Sequence, residues 1–436
     1  MIYAFVIALV VLLKLNHIVF RSIMAPAVFF VSVWAVTLAA LALCGDLFFP
    51  ISVVTLLIYL VGALAFSIGG MLALTAEPTS PRRSLVILSY ERHHYCRVVL
   101  DVLFVVCLCG LPLFAHRMLD PVGGWANPTA LPEVRQSAVE ASGRASAFSA
   151  INNLAVLSRF VAFGLFFEND GSRARRWRAY LSLLPAIAYG SLTGSKGPAV
   201  TILLTAAFLT WLKSGKVTFK SAVTVVVLCT ICFSVGVLVI NYGYVQFSSA
   251  SQAGTRLAWI VPSYWLGGAV AFDQIVRDPG SVPSTQPIDS FFVESANSLG
   301  AQFDMVSPHA QYTDISSNGI SEDTNVYTIY FSYYKDHGWF GMVGLMMIAG
   351  FCLTLLYQSA LRMGPVSILL CAMTLVGTFF SFHAEHYWRG LNEYIKAVVF
   401  FSLLYHGPVI ALWPGKQSSP IAARPSGTAV TTLTLS

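Results

Sequence analysis

Ile51–Leu74 reads ISVVTLLIYLVGALAFSIGGMLAL, 24 residues without a charge. At 1.5 Å per residue a helix of that length spans the roughly 30 Å hydrocarbon layer of a bilayer. Similar windows recur along the chain, at 2–20, 26–43, 98–115, 149–167, 179–194, 197–212, 221–241, 338–358, 364–383 and 394–413. The pattern predicts an all-α polytopic membrane bundle of about eleven transmembrane helices. Composition agrees: 56% of the 436 residues are hydrophobic and 11% charged, with a mean hydropathy of +0.70. One soluble domain could not bury so much apolar surface. The run from Ile2 to Leu13 has no basic leader and no small-residue cleavage site, so it reads as the first span rather than a signal peptide.

The formal charge of +6 points to topology rather than nucleic acid, because Lys and Arg collect in short connecting loops. Arg82, Arg83, Arg92 and Arg97 fall in one, Arg173, Arg175, Arg176 and Arg178 in a second, Lys213, Lys216 and Lys220 in a third, and Arg362 in a fourth. With about eleven spans, all four emerge on one side, which the positive-inside rule makes cytoplasmic. The N-terminus is then outside. Residues 1–414 form one membrane domain, and 415–436 a polar, disordered cytoplasmic tail.

The apolar rhythm is interrupted once, over about 242–337, by a large and mostly polar segment on the outer side. A carrier or channel has no need of so large an insertion, whereas a membrane enzyme needs a wet face beside a lipid-anchored substrate. Within it, Leu257–Val276 is apolar but carries Pro262 and Gly267-Gly268, which suits a re-entrant or interfacial helix. The eight cysteines lie in or beside apolar runs, so neither a disulfide framework nor a thiolate metal site is expected.

Cations on the outer side violate the topology rule and call for a reason. Arg135, Arg144, Lys196, Arg256, Lys335 and Arg389 are such residues; together they suit a phosphate or diphosphate, and singly they read as solvated loop charges. Lys196 sits in the tight turn Gly194-Ser195-Lys196-Gly197 between two apolar helices, with Pro198 suited to the first turn of the second. The spacing is not that of a nucleotide-binding loop. At the close of the long segment, Ser321 to Gly338 combines Asp323, Asn325, Tyr327, Tyr334, Asp336 and His337. Its tyrosines fit either an interfacial aromatic belt or a platform for sugar rings, with Asp323 and Asn325 binding hydroxyls. His309, His337, His383 and His386 compete as a base. His383 and His386, spaced i, i+3 around Glu385, lack the spacing of a zinc helix and a third ligand. Arg159, mid-span, needs a polar partner or a wet cavity unless the span boundary lies elsewhere.

The run Asn325-Val326-Tyr327-Thr328, then Tyr334-Lys335-Asp336-His337-Gly338-Trp339-Phe340-Gly341, resembles the signature of bacterial oligosaccharide repeat-unit polymerases, the O-antigen and exopolysaccharide polymerases of the Wzy type. Thr193-Gly194-Ser195-Lys196-Gly197 is similar to a Thr-Gly-Ser-Arg-Gly turn of that family, with lysine in place of arginine. Leu131-Pro132-Glu133-Val134-Arg135 looks like the family's first external loop. The resemblance implies a glycosyltransferase of the bacterial inner membrane, without metal or other cofactor, that moves a glycan from undecaprenyl diphosphate onto a second carrier-linked unit. It implies diphosphate contacts from Arg135, Lys196, Arg256 and Arg389, glycan contacts from Asp323, Asn325, Tyr327 and Tyr334, and Asp336 or His337 as the base. Membrane lipid and carrier-linked oligosaccharide are the implied partners, with a separate chain-length regulator left open. An O-antigen ligase acting on lipid A core and a flippase for the same lipid-linked glycan are the alternatives.

Overall fold

The computed structural model describes residues 1–76, 90–120, 123–124, 150–169, 171–192, 197–242, 250–279, 291–293, 296, 313–315, 323–324, 326–362 and 364–407. For 90–91, 150–152, 237–242, 250–260, 313–314 and 323 the backbone alone is described. Twelve longer helices carry the chain among these residues. They are α1 (Ile2–Phe20), α2 (Pro26–Leu43), α3 (Val53–Ala76), α4 (Tyr90–Leu119), α5 (Ala150–Phe167), α6 (Arg173–Leu192), α7 (Gly197–Ser214), α8 (Phe219–Tyr242), α9 (Ala250–Arg277), α10 (Ile329–Leu361), α11 (Pro365–Phe379) and α12 (Leu391–His406). Two two-residue strands, β1 (Thr313–Asp314) and β2 (Asp323–Thr324), pair antiparallel within the long segment.

Eight of these helices are long and apolar enough to cross a membrane, so the chain is an all-α, multi-pass membrane protein. The expected count of about eleven is not reached by that measure. A helix does occur at each of the eleven positions, but three fall short for physical reasons: the apolar part of α5 is only Asn153–Phe167, α6 opens on four arginines, and α12 has 16 residues.

Two packed cores share the interior. In one, α1, α2, α3 and α9 close around Trp34, Tyr59 and Phe66 with the start of α10; in the other, α4 to α7 pack with α11 and α12 around Phe114, Phe163 and Phe208. Phe379 and Phe380 touch both. Small residues allow the tightest contact, that of α3 with α10. A Cβ at Gly69 would run into the carbonyl oxygen of Met347, and one at Gly350 into that of Phe66. In lipid, where hydrophobicity alone does not drive helices together, such close approach supplies the packing energy. By contrast, no described side chain of α8 is buried between Phe219 and Gly236.

The ends of the helices define two faces. On the basic face, the carboxylate of Glu168, just past α5, lies 3.0 Å from His93 Nδ1 and 3.4 Å from Arg97 Nε at the start of α4. There Lys213 Nζ donates to the carbonyls of Phe167 and Asn169, Arg178 pairs with Asp101 at 3.0 Å, and Tyr357 donates to Ser22 Oγ at 2.7 Å. On the opposite, loop face the link between α2 and α3 meets α9, the strand pair and the link between α11 and α12. Asp273 organises that meeting. Its Oδ1 accepts from the Ser52 N–H (2.8 Å), the Ser52 hydroxyl (2.6 Å) and the Thr55 hydroxyl (2.6 Å), and its Oδ2 lies 2.8 Å from Arg277 Nε.

Leu257–Val276, singled out from its composition, falls within α9. The helix leans from Tyr264, whose ring meets Phe233 of α8 at 5.3 Å, past Trp265 on Thr37 (3.1 Å) and Ala269 on the Tyr59 hydroxyl (2.9 Å). It ends with Arg277 donating to the Pro50 carbonyl. α10 is two helices joined at Gly338, whose φ of +64° and ψ of −165° are open to glycine and strained for other residues. Its first piece buries Ile329, Tyr330, Phe331 and Tyr333, and its second carries the apolar span.

Candidate functional site

The loop face is drawn inward at one place. α11 ends in a 3₁₀ turn, Phe380–Phe382, and the chain reaches α12 through residues 383–390. Here Glu385 is 2% exposed. Its Oε1 accepts from the Tyr333 hydroxyl at 3.1 Å and from the N–H groups of Tyr387 (2.6 Å) and Trp388 (3.0 Å). Its Oε2 accepts from the N–H groups of Trp388 and Arg389, both at 3.1 Å. A carboxylate so held fixes the turn before α12 much as an N-cap does. It also ties that turn to the buried first piece of α10. Burial pushes the Glu385 carboxyl above its ordinary range, against the opposing pull of the three N–H donors and the Arg389 charge.

Two imidazoles flank this carboxylate. The rings of Tyr264, His383 and His386 lie nearly parallel in a row, with centroids 6.3 Å and 6.5 Å apart. His383 Nδ1 and His386 Nε2 are closed off from solvent and have no hydrogen-bond partner, although both residues are partly exposed. Burial first, then the neighbouring His383 and Arg389, push His386 down to about 3. It is therefore a neutral imidazole at neutral pH. Around them, Tyr387 donates to Thr378 Oγ1 at 3.0 Å and Tyr394 to the His386 carbonyl at 3.3 Å. Ser381 Oγ and Thr328 Oγ1, buried on the adjoining segments, likewise have no hydrogen-bond partner. Buried polar atoms in native proteins are nearly always satisfied, so several unsatisfied ones in neighbouring segments mark a place for water or a ligand.

Arg159 has the partner its mid-span position demands. Its Nη1 lies 2.8 Å and 3.1 Å from the two carboxylate oxygens of Glu393 in the first turn of α12.

The residues singled out in the sequence are distributed unevenly. Arg389 stands in the Glu385 turn, exposed, close enough to Glu385 and His386 to shift both. His337 is exposed and Asp336 partly buried at the break between the two pieces of α10. Tyr334, partly buried, meets Trp339 and Phe272 edge-on at 5.7 Å and 6.0 Å. Tyr327 is 5% exposed and stacks on Phe331 at 4.6 Å; its ring packs in the core and offers no open face to a sugar, contrary to the expectation for it. Asp323 lies on β2 opposite Asp314, and Arg256 on α9, with their side chains outside the described part. Arg135, Lys196 and Asn325 lie outside the described residues.

Sequence reasoning did not single out Glu385 or Asp273 as organising carboxylates. Each carried a signal: an acid a few residues before an apolar helix for Glu385, and an acid inside an apolar stretch with a cation at i+4 for Asp273. Among the described residues no group of three or more His, Cys, Asp or Glu side chains is placed to hold a metal ion. A hollow of about 370 Å³ at the end of α4, lined by Pro112, Ala115, His116, Leu119, Asp120 and Gly124, includes none of these residues.

Compared with protein-family models, curated proteins and solved structures, the chain matches none.

Proposed function

We propose that this protein is a membrane glycosyltransferase that polymerises undecaprenyl-diphosphate-linked oligosaccharide repeat units at the outer side of the bacterial inner membrane. The observation that carries this reading is the turn 383–390, where a cation, Arg389, adjoins a neutral, partly buried imidazole, His386, on the loop face of an apolar bundle. The basic face is then cytoplasmic by the positive-inside rule, and α9 is a re-entrant helix that walls the site. The motif resemblance supplies the reaction class.

In this reading Arg389, with Arg135, Lys196 and Arg256, stabilises the charge that grows on the diphosphate as the anomeric carbon–oxygen bond breaks. Asp336 or His337, beside the glycine break of α10, accepts the proton of the attacking hydroxyl. Tyr334, Asp323 and Asn325 remain glycan contacts, and Tyr327 drops out.

The test is incubation of the purified protein with one defined undecaprenyl diphosphate repeat unit. A ladder of products supports polymerisation. Arg135→Ala and Arg256→Ala each abolish it while leaving membrane insertion intact, and normal laddering in both variants removes the diphosphate clamp. Deletion of the gene separates the alternatives: single displayed units indicate a polymerase, full chains stranded on the carrier a ligase, and units held in the cytoplasm a flippase.

A further inference from the structure

The row Tyr264–His383–His386 has no task in the transfer as described above, although it holds buried ring nitrogens without partners. Three observations bear on it. The rings come from two elements, α9 and the turn after α11, and lie nearly parallel with interplanar angles of 13° and 22°. Burial lowers His386 far enough that its imidazole is a poor base at neutral pH yet still offers one N–H donor and one lone pair. Arg389, three residues on, is close enough to lower His386 further.

A neutral donor–acceptor pair beside a cation mirrors the chemistry of a glycosyl diphosphate, in which hydroxyl groups of an uncharged ring adjoin an anion. A second carboxylate or amine beside Arg389 would have suited a charged sugar instead; the carboxylate that is present, Glu385, is already saturated by three backbone N–H groups and a phenol.

We propose that His383 and His386 form a subsite for the hydroxyl groups of the sugar joined directly to the carrier diphosphate, with the Tyr264 ring as its far wall and Arg389 on the diphosphate side. This deepens the carrier-lipid reading and rests on it. His386 Nε2 and His383 Nδ1 gain their missing partners from the sugar hydroxyls.

The experiment measures binding, not turnover. Purified full-length protein in nanodiscs is titrated with undecaprenyl diphosphate and with undecaprenyl diphosphate carrying one hexose or one N-acetylhexosamine. The readout is the ratio of the dissociation constants for the bare and the sugar-bearing lipid. A hydrogen bond lost at a buried partner corresponds to about tenfold in affinity. His386→Leu is therefore expected to lower the ratio about tenfold for at least one of the two sugars, with bare-lipid binding and thermal midpoint as in the wild type. His386→Gln, which keeps a donor and an acceptor near the Nε2 position, restores most of it, and Arg389→Ala weakens both lipids together. An unchanged ratio in His386→Leu and in His383→Leu overturns the proposal. So does a fall in sugar-lipid binding that is matched by equal losses in bare-lipid binding and thermal midpoint, because the histidines are then structural. Wild-type binding of none of the lipids overturns the carrier-lipid reading itself.

Discussion

Replacing Glu385 by alanine isolates the group that holds the candidate site together. The carboxylate serves as acceptor for the Tyr333 hydroxyl and the N–H groups of Tyr387, Trp388 and Arg389. Leaving a buried donor without an acceptor costs about 1–3 kcal/mol. Arg389 is exposed and Trp388 partly so, and water replaces the acceptor at those two positions. The Tyr333 hydroxyl sits on a side chain 1% exposed and the Tyr387 N–H makes the shortest of these bonds, so these two bear most of the penalty. Two stranded donors give an expected loss of about 2–6 kcal/mol. Glu385→Gln keeps one oxygen but turns an NH₂ toward backbone N–H groups, and is expected to lose about half as much, about 1–3 kcal/mol. The free cysteines provide the assay, because Cys96, Cys107 and Cys371 are buried while Cys109 and Cys352 are exposed. A thiol-reactive fluorogenic maleimide, followed as SDS is titrated into detergent micelles, labels Cys96, Cys107 and Cys371 on unfolding, with the lipid-facing Cys109 and Cys352 replaced by alanine. A midpoint for Glu385→Ala indistinguishable from wild type would refute the argument that this carboxylate fixes the turn.

Further outcomes follow from the same geometry. Asp273→Ala removes the acceptor of three hydrogen bonds between α9 and the start of α3; a loss of about 2–3 kcal/mol, less for Asp273→Asn, is expected in the same unfolding assay because Arg277 is half exposed and rehydrates. Gly350→Ala places a Cβ against the Phe66 carbonyl and is expected to prevent stable folding, read as aggregation on size-exclusion chromatography, whereas Gly344→Ala, with open space around it, elutes as wild type. Between pH 6.5 and about 3 the unfolded chain protonates His386 while the folded one does not, so this group's stabilising contribution is complete above pH 6.5 and is lost as the pH falls through that window; the acid limb of the SDS midpoint should be shallower in His386→Gln. With the native cysteines replaced by alanine, Gly45→Cys on the loop face should react with an impermeant maleimide in intact cells and Ser214→Cys on the basic face only after permeabilisation, and the reverse pattern would invert the orientation.

Much of the bundle was legible from length and hydropathy alone. Helices stand at all the apolar windows, Pro198 does fall in the first turn of α7, and Leu257–Val276 does lie in a helix. The count of crossings departed from the windows, because hydropathy alone does not register that α6 begins among the arginines at 173–178 or that α12 has only 16 residues. Nor could the pattern anticipate that α10 begins as a separate aromatic helix buried before its span. Gly338 was visible as a glycine, but its left-handed backbone is a property of the fold. Tyr327 shows the same limit: a tyrosine near a membrane surface reads alike whether its ring faces sugar or is stacked on Phe331.

The organising carboxylates were hidden for a related reason. An acid is easy to read when its partner is a cation at i+4, as with Arg277 and Asp273, although the partners that make Asp273 decisive lie more than 200 residues away, at Ser52 and Thr55. Glu385 has no such sequence partner, because backbone N–H groups carry no residue identity. The two faces differ in this respect. On the basic face, the Glu168 carboxylate is met by the side chains of His93 and Arg97. On the loop face, the oxygens of Glu385 are occupied by main-chain donors and a phenol, with the Arg389 charge acting on them from the same turn. A turn built from the main chain can therefore place Arg389 beside two neutral imidazoles without leaving its own buried charge uncompensated, which is the condition a site for an anionic, hydroxyl-rich ligand must meet at the edge of a membrane.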